Sequence, residues 1–261
     1  MDNKTSLFFE SIPTSSSETE RWDREWITYF NTEDPSPFLL NFQRLKPNLK
    51  IIKSLTKLSD KDVLKTSLVN SLPPLAIWSN GRDLVGKKVL EVGCGPGFLG
   101  KQLGLVCHSY LGIDYSQLAL SIARLVSPSN CNYLHISDTE SLLKQSSTID
   151  TMVGRFFFIH QNFDNATWLL ELANLLLKQD GIVNADFYKA NLKTPQGVVF
   201  PAKSPLSEKY PSCAFEYTES EVQELADNHG FEIISTDIDR EMQRLFVRFR
   251  KTQNNFNFTE S

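Results

Sequence analysis

The 261-residue chain lacks several features that mark other classes of protein. It has no basic surplus, with 27 Lys and Arg against 31 Asp and Glu and a net charge of −4. This balance argues against a nucleic-acid partner, because dedicated nucleic-acid binders usually show a basic face. The four cysteines include no C-x-x-C pair, so neither a zinc site nor a disulfide framework is indicated. We expect no metal, and we expect the cysteines to pack as small apolar residues.

Long apolar segments are also missing. No apolar run approaches the roughly 20 residues needed to span a bilayer. Residues 1–20 are mostly polar and lack the apolar centre of a secretory signal. These absences predict a soluble, cytoplasmic protein without a membrane partner. The 41% of hydrophobic residues is enough for a sizeable core, and the length agrees with one domain plus an extension.

Composition divides the chain into four stretches. Residues 1–20 are rich in Ser, Thr and Glu and are expected to be disordered. Residues 21–85 predict a mostly helical N-terminal extension. Residues 86–251 alternate between strand and helix signals and predict an α/β domain, and residues 252–261 form a polar tail.

Aromatic residues recur at helical spacing near the start of the extension and would form one face of a helix: Trp22, Trp26, Tyr29 and Phe30. Such a face either packs on the catalytic domain or forms a lid over the substrate. The sequence leaves both interpretations open.

From residue 86 onward the alternation favours a doubly wound α/β fold, with helices on both faces of a parallel sheet. Strands are expected near 88–93, 109–114, 131–136, 149–154 and 182–187. An irregular stretch is expected over 190–217, followed by a helix that Thr218 and Glu221 begin as a capping box. Two closing strands, 231–236 and 244–249, lie too close in sequence for a crossover helix and should run antiparallel.

The stretch from Lys87 to Gly100 predicts a cofactor site. An apolar strand runs into Gly93, Gly95 and Gly97, and a helix should follow. Glycine allows a sharp turn off a strand and close approach of a ligand, because no Cβ blocks either. The unpaired N–H groups of a helix start favour an anionic ligand group. A nucleotide-like cofactor is therefore expected.

Two cofactors fit this local pattern. The segment from Gly95 to Gly100 satisfies G-x-G-x-x-G, and Asp114 lies where a dinucleotide fold places its ribose-binding acid. In such a fold, however, the first glycine ends the strand, which is Gly93 here. The glycine for helix–strand packing then falls on Phe98. An NAD-dependent oxidoreductase is therefore the weaker alternative, and a register shift of two residues keeps it open.

The segment Val89-Leu90-Glu91-Val92-Gly93-Cys94-Gly95-Pro96-Gly97 resembles the first motif of the class I S-adenosylmethionine-dependent methyltransferases. That family has an acidic residue two places before the first glycine, as Glu91 is here. A carboxylate suits the cationic part of S-adenosylmethionine, and backbone N–H groups suit its carboxylate. The resemblance covers roughly residues 86–251. It implies S-adenosylmethionine as the cofactor and a Rossmann-like doubly wound sheet of seven strands, the last one antiparallel.

The same resemblance implies roles for downstream residues. Asp114 ends the second strand and would accept hydrogen bonds from both ribose hydroxyls, while Asp138 would contact the adenine amino group. Arg155 stands where many family members have small or neutral residues, and it would pair with a cofactor or substrate carboxylate or form a structural salt bridge. Residues 176–183 loosely resemble the turn often written L-K-P-G-G. The expected cofactor-binding set is Glu91, Gly93, Gly95, Gly97, Asp114, Tyr115, Asp138, Thr139 and Arg155.

Methyl transfer places modest demands on the protein. The nucleophile must lie about 3 Å from the methyl carbon with water excluded. A general base is needed only when the acceptor loses a proton, as a hydroxyl does. His160, just past the fourth strand, is the candidate for this catalytic role. The alternative is that His160 bonds the backbone or orders the loop.

The chain lacks the Asn/Asp-Pro-Pro-Tyr/Phe signature found after the fourth strand of enzymes that methylate base amino groups. A small-molecule or peptide substrate is therefore expected, with O- or N-methylation. Aromatic residues of the extension and of the segment after the fifth strand suggest a partly apolar substrate. The expected substrate residues are Trp26, Trp78, Tyr188 and Tyr217. A protein of this fold that binds the cofactor without catalysis and acts as a regulator is a further alternative.

Overall fold

The computed structural model describes residues 16–32, 83–191, 198–206, 213–239 and 244–252. The chain divides into two compact units, which are described separately. The N-terminal unit is Thr19–His135, and the C-terminal unit is Ile136–Ser261 together with the residues before Thr19. Within the described ranges, no helix is long and apolar enough to cross a membrane.

The N-terminal unit contains a three-stranded parallel sheet in the order β3-β2-β1. A helix precedes the strands in the chain and further helices follow β1 and β2. The elements are α1 Ser16–Thr32, β1 Lys88–Val92, α2 Gly100–Leu103, β2 Ser109–Asp114, α3 Gln117–Val126 and β3 Cys131–His135. Helix α1 begins at Ser16, inside the stretch for which the composition predicts disorder. Residues 33–82, most of the expected extension, lie outside the described residues.

Two tyrosines and several glycines determine how the start of α2 packs on this sheet. The rings of Tyr110 and Tyr133, on neighbouring strands, lie 5.6 Å apart between centroids. A Cβ added to Gly100 would lie 2.5 Å from Tyr133 Oη and 2.7 Å from Tyr110 Cζ. A Cβ on Gly112 would lie 2.8 Å from Cys94 Sγ and from the Tyr133 ring. Glycine is therefore required at both positions for the helix and the tyrosines to share this space.

The C-terminal unit contains strands β4-β5-β7-β6 in parallel and two closing strands that run antiparallel. Strand β9 is antiparallel to both β5 and β8. The elements are α4 Thr139–Leu143, β4 Ile149–Gly154, a 3₁₀ helix Phe158–His160, α5 Phe163–Leu176, β5 Leu177–Lys189, β6 Val199–Pro201, β7 Ala214–Tyr217, α6 Glu219–Asn228, β8 Phe231–Asp239 and β9 Arg244–Lys251.

The expected strands, the antiparallel closing pair and the capping box at Thr218 and Glu221 are confirmed. The irregular stretch 190–217 was expected to be free of strands, but it contains the short strands β6 and β7. The described residues therefore hold nine strands where seven were expected. Runs of three or four residues are too short for a strand periodicity to be recognised in the sequence. Strand β5 also begins earlier than expected, directly after α5.

Aromatic packing anchors β5 in the C-terminal unit. The ring of Phe187 lies 5.3 Å from that of Phe158, 4.8 Å from that of Tyr217 and 6.4 Å from that of Phe249, and all four side chains are fully buried. Edge and tilted ring pairs of this kind contribute beyond their buried area. This cluster ties β5 to the 3₁₀ helix, β7 and β9.

A buried lysine closes the C-terminal end of α5. Lys251 Nζ donates to the carbonyl oxygens of Asn174, at 2.6 Å, and Leu177, at 3.0 Å. Carbonyls at a helix end lack intrahelical partners, so a cation there is favourable. Burial lowers the pKa of Lys251. The contact fastens the last strand of the chain to the helix that precedes β5.

Candidate functional site

The loop after β1 has the backbone conformation that its glycines predict. Gly93, Gly95 and Gly97 have φ of 66°, 51° and 78°, a region that residues with a Cβ rarely adopt. The N–H of Gly95 donates to Asp114 Oδ2 at 2.8 Å, and the N–H of Gly97 donates to the Cys94 carbonyl at 3.2 Å. Both N–H groups are therefore engaged within the protein, and the loop is tied to the end of β2.

Asp114 is buried, with 6% of its surface exposed, and backbone donors hold both carboxylate oxygens. Oδ2 accepts from Gly95, and Oδ1 accepts from the N–H of Ser116 at 2.8 Å. Burial raises the pKa of Asp114 to about 6, while the N–H groups of Ser116 and Gly95 act in the opposite direction. The carboxylate is therefore mostly ionised at neutral pH, and it can accept further hydrogen bonds.

Glu91 lies on β1 with 3% of its surface exposed. Its Oε2 accepts a hydrogen bond from the hydroxyl of Tyr110 on β2. Burial raises the pKa of Tyr110 well above its usual value, so the hydroxyl keeps its proton and remains a donor. The structure thus assigns Glu91 a partner within the sheet, and its contact with a cofactor stays a prediction.

Trp26 of α1 lies against the glycine loop. A Cβ added to Gly95 would lie 2.6 Å from Trp26 Cζ2 and 2.9 Å from Cη2. The indole also meets the ring of Phe98 edge-on, at 5.9 Å between centroids. Trp26, which the sequence analysis assigned to the substrate, therefore contacts the loop expected to bind the cofactor.

Two further residues on the same side of α1 contact the strand ends. Asp23 Oδ1 accepts from the hydroxyl of Ser116 at 2.5 Å and from the N–H of Leu118 at 3.2 Å, at the start of α3. Thr19 Oγ1 lies 3.1 Å from Nε2 of His135, which also lies 2.8 Å from the carbonyl oxygen of Tyr115. Residues 19, 23 and 26 share one helix face, so α1 is fastened to the ends of β2 and β3 and to the loop after β1.

The turn after β4 contains a strained residue. Phe156 has φ 53°, and its N–H donates to Asp186 Oδ1 at 2.9 Å. Asp186 Oδ2 accepts from Arg244 Nη1 at 2.6 Å. Asp186 has 0% and Arg244 has 5% of its surface exposed, so this ion pair is buried.

The ring of Phe156 contacts two guanidinium groups. The Arg244 guanidinium carbon lies 3.6 Å from the ring centroid and that of Arg155 lies 4.6 Å from it. Both distances are within the range of cation–π contact. The positive charges of Arg155 and Arg244 oppose the raised pKa that burial gives Asp186. The predicted pairing of Arg155 with a ligand carboxylate stays a prediction.

His160 ends the 3₁₀ helix and is half-buried. Its Nδ1 lies 3.1 Å from the carbonyl oxygen of Cys213. A carbonyl accepts only, so Nδ1 carries the hydrogen and Nε2 is the basic nitrogen. The backbone contact, which was the alternative role expected for His160, is present.

An apolar cluster adjoins His160. Ile159, Tyr188 and Ala214 are buried together, with Phe156 and Val199 packed against them. Tyr188, expected to contact the substrate, lies in this cluster with 5% of its surface exposed.

The other expected residues are placed differently. Tyr217 has 0% exposure and donates to the Gln161 carbonyl at 2.7 Å, so it is a core residue here and its burial does not support contact with a substrate. Trp78 lies outside the described residues. Asp138 caps α4, accepting from the N–H of Ser141 at 3.2 Å, and Thr139 is the first residue of that helix.

The chain was compared with known families and curated proteins. Residues 89–181 match the family model of a methyltransferase domain. A ubiquinone biosynthesis O-methyltransferase of Glaesserella parasuis is 31% identical over 123 residues, which is 44% of this chain and 51% of that protein. One from Cupriavidus pinatubonensis is 26% identical over 175 residues, which is 64% of this chain and 69% of that protein. The chain thus spans about half the length of the first relative.

A solved magnesium protoporphyrin IX methyltransferase from Synechocystis, with bound SAH, matches with a TM-score of 0.50. It is 17% identical, and the match covers 74% of this chain and 86% of that one, so the likeness concerns the fold. The parallel strands and the glycine loop define a cofactor-binding α/β protein. The family match and the curated relatives support a class I S-adenosylmethionine-dependent methyltransferase domain.

The family match favours the methyl donor over a dinucleotide, and it resolves what the glycine spacing alone leaves open. Gly100 does make the close helix–sheet approach that a dinucleotide fingerprint requires of its last glycine. Packing at Gly100 fits the register shift of two residues that the sequence left open, so packing alone does not exclude a dinucleotide. The match to the methyltransferase family model is what distinguishes a methyl donor from a dinucleotide.

Sequence reasoning missed Asp23, Asp186 and Arg244. Asp23 lies in the extension, far in sequence from the Ser116 that it contacts. Asp186 and Arg244 are 58 residues apart. None of them belongs to a local pattern, because their partners come from other elements. An acid inside the buried fifth strand was the one available signal, since buried carboxylates are rare unless paired.

Proposed function

We propose that this protein transfers the methyl group of S-adenosylmethionine to a hydroxyl of a small, partly apolar molecule. The observation that carries the proposal is the buried Asp114 carboxylate, which the glycine loop and the start of α3 hold in place. The match of residues 89–181 to a methyltransferase domain supports the reaction class.

The residues of the N-terminal unit fit the cofactor chemically. Ribose presents two neighbouring hydroxyl donors, and the Asp114 carboxylate is a charged acceptor suited to them. A hydrogen bond to a charged acceptor is stronger than one between neutral groups, which suits a ribose-binding residue. The other proposed cofactor-binding residues come from the sequence motifs of the family. They are Glu91, Gly93, Gly95, Gly97, Tyr115, Asp138, Thr139 and Arg155.

When bound, S-adenosylmethionine supplies a methyl group on a sulfonium, a carbon that is already activated for displacement. The contribution of the protein is then to orient the acceptor and exclude water. Nε2 of His160 accepts the hydroxyl proton as the oxygen attacks, while Nδ1 stays bonded to the Cys213 carbonyl.

The relatives support an oxygen acceptor on a small molecule. Both curated proteins described above are named ubiquinone biosynthesis O-methyltransferases. Their names motivate a test of phenolic hydroxyls first, with amines and peptides as the competing acceptor classes.

The deciding experiment has two stages. Calorimetry with S-adenosylmethionine, SAH and NADH is expected to show binding of the first two, and binding of NADH alone would overturn the assignment. A transfer screen with isotope-labelled methyl donor then covers phenols, amines and peptides. Label on a phenolic oxygen supports the proposal, label only on peptides or amines contradicts the acceptor class, and cofactor binding without transfer to any acceptor favours a regulatory protein.

We further propose that α1 is a cover over the cofactor side of the N-terminal unit. Trp26, Asp23 and Thr19 make the contacts that support this role. Trp26→Ala is expected to accelerate cofactor release and to weaken affinity about tenfold, or about 1.4 kcal/mol. Trp22→Ala is the matched control, because it also removes an indole from α1. The Trp22 ring lies 5.0 Å from the guanidinium of Arg21. Equal effects of the two variants in stopped-flow release would contradict the cover.

A further inference from the structure

Phe156 adopts a backbone conformation that bulky side chains avoid. Its φ of 53° lies in the left-handed region, two residues after β4 ends at Gly154. Such a conformation is strained for a residue with a Cβ and persists only where the surroundings hold it. Strain of this kind concentrates at functional sites, so the groups that hold Phe156 are of interest.

Two side chains from other strands hold this residue. Asp186 of β5 accepts its N–H at 2.9 Å, and the Arg244 guanidinium of β9 covers its ring at 3.6 Å. Asp186 also bonds Arg244 at 2.6 Å, so one carboxylate links the turn after β4 to the final strand. Asp186 thus holds the backbone of Phe156, and Arg244 holds its ring.

The ion pair is poorly explained by stability alone. Removing two charges from water costs several kcal/mol per ion, and well-packed apolar residues often serve as well. In addition, Arg244 Nε is buried without a hydrogen-bond partner in the described part of the chain. What an apolar pair would lack is a charged acceptor for the Phe156 N–H.

The turn that is held in this way carries both predicted chemical groups of the C-terminal unit. Arg155 directly precedes Phe156, and the 3₁₀ helix Phe158–His160 follows it. We propose that Asp186 and Arg244 are positioning residues, which fix the left-handed turn at Phe156 and so orient Arg155 and the His160 imidazole for methyl transfer. The chemical purpose of this orientation rests on the proposed function, whereas the orientation itself can be measured without an acceptor.

Imidazole ¹H–¹⁵N NMR signals provide that measurement. The chain has four histidines, and His160→Gln assigns the signal of interest. Asp186→Asn is expected to shift and broaden the His160 signal, while His108 and His229 stay unchanged. Glu232→Gln is the matched control, because it breaks the exposed ion pair with Arg250 on the neighbouring strands and should move none of these signals.

A second variant separates positioning from folding. Asp186→Leu combined with Arg244→Met replaces the pair by apolar side chains and should fold, yet it removes the acceptor of the Phe156 N–H. Its His160 signal is expected to move as in Asp186→Asn. Phe156→Gly should act as a rescue, since glycine adopts a positive φ without strain and makes the His160 signal insensitive to Asp186→Asn. Unchanged His160 signals in both Asp186 variants would overturn the proposal.

Turnover separates this proposal from the proposed function. With an acceptor in hand, Asp186→Asn is expected to lower kcat by about 100-fold, the scale expected for misplacement by about 1 Å. Signals that respond in a protein that methylates nothing would leave the positioning role standing and refute the function. Turnover accompanied by unresponsive signals would refute the positioning role alone.

Discussion

Each unit buries a carboxylate near a strand end, and the two carboxylates are held by different kinds of hydrogen-bond donor. Asp114 is held by backbone N–H groups, 2 and 19 residues away in sequence. Asp186 is held by the Arg244 side chain, 58 residues away, and by the backbone N–H of Phe156, 30 residues away. Burial raises the pKa of both carboxyl groups. A carboxylate bound by backbone depends on chain conformation, which glycines encode locally, whereas one bound by a side chain depends on the identity of a single distant residue.

The largest expected effect is that of a substitution at His160. It tests whether methyl transfer and cofactor binding depend on residues of different units. His160→Ala should lower methyl transfer to a hydroxyl acceptor by about 100-fold or more, because a positioned base contributes 10²–10⁴. Its cofactor affinity by calorimetry should match the wild type. Full turnover of this variant at pH 7 would remove His160 as the base.

The complementary change is Asp114→Ala. Loss of two hydrogen bonds to a charged acceptor, at about 1.5 kcal/mol or more each, predicts an affinity for S-adenosylmethionine about 100-fold weaker by calorimetry. Asp150→Ala is the control. Asp150 lies near the start of β4, whereas Asp114 ends β2, and Asp150 forms a partly exposed ion pair with Lys178. Unchanged affinity in Asp114→Ala would refute the ribose assignment.

Cofactor affinity should also depend on pH through the same carboxylate. Ribose hydroxyls bind the ionised form, so affinity is expected to fall as the pH drops through the Asp114 pKa of about 6. At pH 5 roughly a tenth of the sites stay ionised, which predicts about tenfold weaker binding in calorimetric titrations. A carboxyl with a raised folded-state pKa favours folding more as the pH falls, so unfolding through this group does not produce the loss. A flat affinity between pH 7.5 and 5 would contradict the assignment.

The smallest effect concerns stability in the N-terminal unit. Gly100→Ala is expected to cost about 1–3 kcal/mol in denaturant unfolding, because the added Cβ would meet Tyr133 Oη at 2.5 Å and Tyr110 at 2.7 Å. Tyr133→Phe removes one of these contacts and should restore part of the loss. Strictly additive costs in the double variant would show that the two sites do not share this space.

The contrast between Asp114 and Asp186 also explains which structural features could be predicted from the sequence. The loop at Gly93–Gly97 and Asp114 form a spacing pattern because their geometry is created by the backbone between them. The capping box at Thr218 and Glu221 was predictable for the same reason. Strands β6 and β7 were not, since a run of three or four residues gains its pairing from β5 and from each other. Trp26 was recognised as part of an aromatic face, but its contact with Gly95 required the fold.

By itself the sequence determined the longer strands and their order, the glycine loop and the acid that ends β2, because local backbone preferences and hydrophobic periodicity act over a few residues. It also determined that a methyl donor fits better than a dinucleotide, through the resemblance that the family match supports. Only the tertiary structure decided that α1 contacts that loop, that Tyr217 belongs to the core and that Asp186 joins Arg244 to the turn at Phe156. Those contacts join residues far apart in the chain, and only packing selects them.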